Sequence, residues 1–290
     1  MIHQNLIRFD WAIKRLLRNK ANFTVLEGFL SVLFHNDIKI NRILEGESNQ
    51  DSSDDKFNRV DILVEDSKGE MLIIEIQNQN EYDYFQRMMY GTAKVISDYI
   101  NLGDLYGKIK KVFSVNIVYF DLGQGDDYVY HGKTDFKGIH KFDTLKLSKR
   151  QVELFGKSEP YQLFPEYYVI KVNKFNDIAT DSLDEWIYYL KNNEIPDEFK
   201  AKGLEQAKSI LKIDKLSKAE QSLYKQHLED LRYMASMVQT WQIETEDRIK
   251  KESAIEIAVN SLNIGLDPKV ISEITGLTID EIKKIIKPGR

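Results

Sequence analysis

Apolar and polar positions along this chain first repeat with a helical period and then gather into two apolar runs around a polar turn. Phe9, Ile13, Leu16 and Leu17 fall on one helical stripe, and Phe23, Leu26, Leu30, Leu33 and Phe34 on another. They predict two amphipathic helices, the second capped by Asn22 and running to about His35. Glu27 lies four residues after Phe23 and three before Leu30, so an acid stands on the second stripe. Such an acid either sits at the stripe's edge and reaches water or is aimed into a site. After a polar loop at 46–58, "RVDILVEDSKGEMLIIEIQNQ" (59–79) places two apolar runs on either side of Asp66-Ser67-Lys68-Gly69, the pattern of a hairpin. A three-residue loop Ser67-Lys68-Gly69 puts glycine at the left-handed position that a type I turn with a bulge requires. In that register Asp66 faces Glu70, Asp61 faces Glu75 and Arg59 faces Gln77. Glu75, Gln77 and Gln79 then share the face of Asp61, while Leu72, Ile74 and Ile76 share the other with Val60, Ile62 and Val64. A two-residue loop would shift the pairing by one.

A helix is predicted over about 81–100, with Phe85, Met88, Thr92, Val95, Ile96 and Tyr99 on its apolar stripe and Arg87, Tyr90, Gly91 and Lys94 on another face. Segments 110–120, 126–133, 136–147 and 166–175 read as strands. Strands mixed with helices make the class α/β or α+β. From Asp181 the chain turns helical, with long periodicity over 200–260 through Leu223, Leu228, Leu231, Met234, Met237, Val238 and Trp241. The tail reads as three short helices: Gly265 ends the first, Asp267-Pro268 opens the second, Gly276 ends it, and Thr278 caps the third. The expected division is 1–180, a helical extension 181–250, and a small tail 251–290. That tail has helix–turn–helix rhythm, but Asp280 and Glu281 stand where a DNA-reading helix wants donors, which favours a packing or protein-interaction role.

Composition narrows the functional classes. The 290 residues are 42% hydrophobic, enough for a substantial core, and contain no cysteine, which excludes disulfides and thiolate zinc sites and suits the cytoplasm. No apolar run has membrane-spanning length and the first residues lack a signal-peptide core, so a cytoplasmic protein without a membrane partner is expected. The net charge of −5 is unevenly spread: residues 8–20 and 133–150 each carry +4, and 45–55 carry −5. No Ser/His/Asp triad is visible, the five histidines lack ligand spacing, and Gly123 and Gly125 precede acids rather than forming a phosphate loop.

The hairpin carries the chemistry. Directly paired side chains have Cβ atoms about 4.5–5.5 Å apart, so Asp61 and Glu75 repel unless one is protonated or a cation lies between them. The natural occupant is Mg²⁺, which takes one or two carboxylates and keeps several waters. A solvated acidic face and a glycosidase acid pair are the alternatives.

Asp61 followed by "EIQ" at 75–77 resembles the PD-(D/E)XK nuclease signature, with Gln77 in the lysine position. Together with "FDWAIKRLL…NFTVLEGFLSVLF", the helix after the hairpin and "KLSKAEQSLYKQHLEDLRYMASM", it resembles the Rpn family of recombination-promoting nucleases and transposases over most of residues 5–245. The resemblance implies a restriction-endonuclease-like α/β fold: a mixed sheet flanked by helices, followed here by a helical C-terminal region. It implies Mg²⁺ or Mn²⁺ held by Asp61, Glu75 and the backbone carbonyl of Ile76, with Glu27 as an acid contributed by the preceding helix. Gln77 would orient the attacking water or a phosphate oxygen, though a neutral amide supplies no positive charge. Arg87 and Tyr90 match the family's R..Y pattern and, with Lys94 on the same face, would contact DNA. DNA is the implied partner, and a homo-oligomer is compatible with the resemblance. The implied activity is a metal-dependent DNA endonuclease of recombination or mobile elements; the alternative is an inactive nuclease fold that binds DNA or protein.

Overall fold

The computed structural model describes residues 6–44 and 61–286; the acidic stretch 45–55 and hairpin positions Arg59 and Val60 lie outside them. The chain forms two compact units, Met1–Ser217 and Lys218–Arg290. The breaks read from the sequence at 181 and 251 fall within the first unit and within the long helix of the second.

Six strands build the sheet of the first unit: β1 (Ile40–Ile43), β2 (Ile62–Asp66), β3 (Met71–Gln77), β4 (Val112–Val118), β5 (Val129–Gly132) and β6 (Glu166–Lys171), in the order β1-β2-β3-β4-β6-β5. The β2–β3 hairpin has the expected register, Ile62 opposite Ile74 and Val64 opposite Leu72. Gly69 adopts φ +78° at the turn, and the Asp66 carboxylate accepts the Lys68 and Glu70 amides at 2.9 and 2.8 Å. β3, β4 and β6 run parallel, while β1 and β5 pair antiparallel with their neighbours. The sheet is therefore mixed.

The helices of this unit are α1 (Phe9–Arg15), α2 (Phe23–Leu33), α3 (Tyr84–Asp98), α4 (Lys149–Phe155), α5 (Ser182–Asn192) and α6 (Leu204–Ile210). α1, α2 and α5 share an aromatic cluster in which Phe9, Phe29, Trp186 and Tyr189 meet at centroid distances of 5.5–6.3 Å, the range of favourable offset and edge contacts. Gly28 lets α2 approach the turn before α6: a Cβ there would lie 2.4 Å from the Gly203 Cα. α3 covers the sheet face carrying Leu63, Met71 and Ile73, burying Val95 against them. By strand alternation this is the face of Asp61 and Glu75.

Several sequence expectations need correction. The buried positions of α3 are Tyr84, Met88, Thr92 and Val95, whereas Phe85 is 52% exposed. The stripe thus starts one residue earlier. Residues 136–147 form no strand, only one bridge between Lys137 and Thr144. Phe136, Ile139, Phe142 and Leu145 recur every third residue and only Leu145 and Leu147 alternate, too short a stretch for a strand face. β6 stops at Lys171 and a 3-10 turn follows, while β1 was not anticipated.

In the second unit α7 (Lys218–Asn263) runs unbroken through the expected boundary at 251. Gly265, at φ +83°, follows it. α8 (Pro268–Thr275) begins with Asp267 accepting the Lys269 amide, and α9 (Ile279–Ile286) follows Gly276 and Thr278. Ala258, Ile271, Leu277 and Ile282 form a small core of this unit. Among the described residues no helix is long and apolar enough to cross a membrane.

Candidate active site

The pleat of β3 places Glu75 and Gln77 on one face near the strand's C-terminal end, and Asp61 stands immediately before β2. One Asp61 oxygen accepts the Ile76 amide at 2.8 Å. The other is 2.9 Å from the Lys14 ammonium, which α1 delivers from its last turn. Arg18, just past α1, donates to the Asp61 carbonyl at 2.8 Å. The opposite end of α1 is tied to the loop after β3: Arg8 forks onto Asp10 at 3.1–3.3 Å, and Asn78 accepts from Arg8 and donates to Asp10. α1 and the turn that follows it thus bring two cations to Asp61.

Glu75 has a different environment. Its side chain is 14% exposed, and its nearest cation is the Arg87 Nε at 3.7 Å. Among the described residues it accepts no hydrogen bond. Burial is the main influence on its carboxyl and pushes the pKa up to about 7. Arg87 and Lys14 pull it back, while Asp61 and Glu81 push it further. Beside it in the parallel ladder stands Asn116 of β4, whose amide goes to Ser114 and Tyr168 and whose oxygen accepts the Tyr84 hydroxyl.

The other expected site residues divide. Gln77 is next to the pair on β3, but its amide nitrogen donates to Glu81 at 2.5 Å. Glu81 also holds Arg87 at 2.8 and 3.1 Å, so Gln77, Glu81, Arg87 and Glu75 form one connected chain of polar groups. Arg87 faces these carboxylates; Tyr90 is 51% exposed and Lys94 is half-buried farther along α3. Glu27 is buried on α2, one oxygen accepting the Ile40 amide at 2.9 Å and the other 3.2 Å from Lys39. The strongest charges acting on Glu75 come from Arg87, Asp61, Glu81 and Lys14, and Glu27 is not among them.

Sequence reasoning missed Lys14, Arg18 and Glu81. The +4 charge of residues 8–20 was a signal for the first two. For Glu81 the signal was only its place four residues after Gln77.

The pair suits a hard cation. It brings together two carboxylates, one lacking a hydrogen-bond donor among the described residues. Among those residues no three His, Asp or Glu side chains cluster for an ion. A cation here would depend on two carboxylates, a backbone oxygen, water and substrate, the ligand set typical of Mg²⁺.

The family model of the PD-(D/E)XK nuclease family transposases matches residues 7–241. No curated protein and no solved structure matches the chain significantly.

Proposed function

Since the chain belongs to the PD-(D/E)XK nuclease family transposases, we propose that it is a metal-dependent DNA endonuclease acting in recombination or mobile-element movement. The observation that carries this reading is Glu75: a carboxyl raised to about 7 by burial, without a hydrogen-bond donor among the described residues, on the same face as Asp61. Asp61, Glu75 and the Ile76 carbonyl would hold Mg²⁺ or Mn²⁺. When bound, the ion supplies a Lewis acid and lowers the pKa of a bound water.

The protein's own groups do the rest. The Ile76 amide and Arg18 fix Asp61 in place. Glu81 holds Arg87 beside Glu75, limiting the cost of its ionised form. The Gln77 amide nitrogen is committed to Glu81, leaving its oxygen to accept from a water. Tyr90 and Lys94 serve as DNA contacts on α3. Glu27 acts as a positioning residue: it holds Ile40 at the start of β1, which pairs with the strand that follows Asp61.

The second reading is an inactive nuclease fold that binds DNA or protein. It is favoured by the neutral Gln77, whose donor already has a partner. Plasmid nicking with and without Mg²⁺ or Mn²⁺ separates the two. Cleavage that requires metal and disappears in Asp61→Ala supports the enzyme; DNA binding without cleavage under either metal supports the module.

A further inference from the structure

We propose that Lys14 is a catalytic residue that exchanges partners, neutralising Asp61 in the metal-free protein and moving to the scissile phosphate when a divalent cation takes its place. This rests on the nuclease reading above.

Phosphodiester hydrolysis builds negative charge on the phosphoryl oxygens, and a fixed or incoming positive charge lowers that barrier. Gln77 cannot provide one. Of the cations around the carboxylate pair, Arg87 is held by both oxygens of Glu81. Arg18 donates to a backbone carbonyl, an acceptor that no metal removes by neutralising a side chain. Lys14 differs from both. Its one described ion pair is with Asp61, at 2.9 Å, and its side chain remains 50% exposed. The ammonium therefore has an open side toward solvent, from which a polyanion would arrive.

The geometry also explains why Lys14 must move. Asp61 has one oxygen on the Ile76 amide and the other on Lys14. A cation shared with Glu75 would compete for the oxygen that Lys14 holds, because the Ile76 amide lies within the sheet and stays. A partly exposed ion pair is weak, so the exchange is inexpensive. The released ammonium stays tethered to α1, whose other end is clamped by the Arg8–Asp10–Asn78 group. It remains within a side-chain length of the metal site, where the phosphate would lie. Lysine's compact charge on a flexible stem suits such a transfer better than a fork-shaped guanidinium. No covalent step at Lys14 is involved, only a change of electrostatic partner.

The test uses the purified full chain with two variants, Lys14→Met and Lys14→Arg. It measures cleavage of supercoiled plasmid with Mn²⁺ and, separately, Mn²⁺ binding by calorimetry without DNA. Lys14→Met should cut cleavage roughly 100-fold or more, as loss of a charge-stabilising group does. The same variant should bind Mn²⁺ roughly two- to fivefold more tightly, because an ion pair no longer has to be broken. Lys14→Arg should keep cleavage within about tenfold of wild type, since the charge is retained. A merely structural lysine would lose metal binding and cleavage together. The proposal is overturned if Lys14→Met cleaves like wild type, if its Mn²⁺ affinity is unchanged or weaker, or if Lys14→Arg is as inactive as Lys14→Met. If wild type binds Mn²⁺ and cleaves no DNA, the nuclease reading falls instead, and the calorimetry still decides whether Lys14 competes with metal for Asp61.

Discussion

Replacing Glu75 by glutamine should stabilise the metal-free protein, and the gain should depend on pH. The wild-type carboxyl titrates near 7 in the folded protein against an ordinary value of 4.5, chiefly because it is buried. A tenfold change in proton affinity corresponds to about 1.4 kcal/mol, so the ionised folded form carries a cost of roughly 3 kcal/mol. The sign follows from where the proton resides. Below the unfolded value both states hold it and Glu75 costs nothing. Between the two values the unfolded chain releases a proton that the folded chain keeps, so stability falls as pH rises. Above the folded value the whole cost stands. Glutamine has nearly the same shape and never ionises. The variant should therefore exceed wild type by less than about 1 kcal/mol near pH 5 and by about 3 kcal/mol near pH 8.

Urea denaturation in EDTA, followed by the fluorescence of the buried Trp11 and Trp186, measures both differences. Added Mn²⁺ should reverse the order near pH 8, since binding to the folded state stabilises only a protein whose site is intact. An equal stability difference at the two pH values would refute the claim that burial of an ionisable Glu75 sets it. A variant less stable than wild type near pH 8 would show that Glu75 is instead held by favourable ionic contacts.

Gln77→Ala removes the donor that ties Glu81 into the network, and a hydrogen bond to a charged group is worth about 1.5–3 kcal/mol; plasmid cleavage should slow roughly 10- to 100-fold, and an unchanged rate would place Gln77 outside the mechanism. Glu27→Ala leaves the Ile40 amide unsatisfied in a buried setting, so urea melts should show a loss of about 1–3 kcal/mol. Cleavage by the folded fraction should fall as β1 loosens, and unaltered stability would show that the Glu27–Ile40 hydrogen bond does not hold β1 in place.

The parts of this fold legible in the sequence are those dictated by neighbours along the chain. The hairpin register followed from a local feature, a three-residue loop with glycine at a left-handed position, and Ile62 indeed faces Ile74 with Gly69 at φ +78°. The caps at Asp267 and Gly276 were local in the same way. Where packing decided between near-equal options, local reading slipped. Tyr84 and Phe85 are adjacent aromatics at the start of α3; Tyr84 was buried because its hydroxyl finds the Asn116 oxygen and its ring meets Phe120, and Phe85 was left outside. The strand expected at 136–147 failed for a different reason: Phe136, Ile139 and Phe142 fall three apart and only Leu145 and Leu147 alternate, so no face of strand length existed.

The electrostatics of the site were least legible, because they are made by residues far apart in the chain. Lys14 on the first helix meets Asp61 at the hairpin, and nothing in the spacing of a helix stripe foretells which hairpin end its basic residues will face. The sequence motif raised a difficulty in Gln77, a neutral amide where a positive charge is wanted. Three-dimensional placement changes that difficulty. Gln77 binds Glu81, Glu81 holds Arg87, and Arg87 stands 3.7 Å from Glu75. A neutral residue on the strand thus organises a cation from α3 on one side of the pair, while α1 contributes a second cation, Lys14, on the other. Positive charge at such a site need not come from the motif strand. It has only to arrive within a few ångströms, because interaction energy depends on distance and dielectric rather than on sequence position. A lysine at position 77 would face Glu81 as well as the pair, and would set a third cation against Arg87 and Lys14. The glutamine therefore fits a site whose positive charge is supplied by its flanking helices.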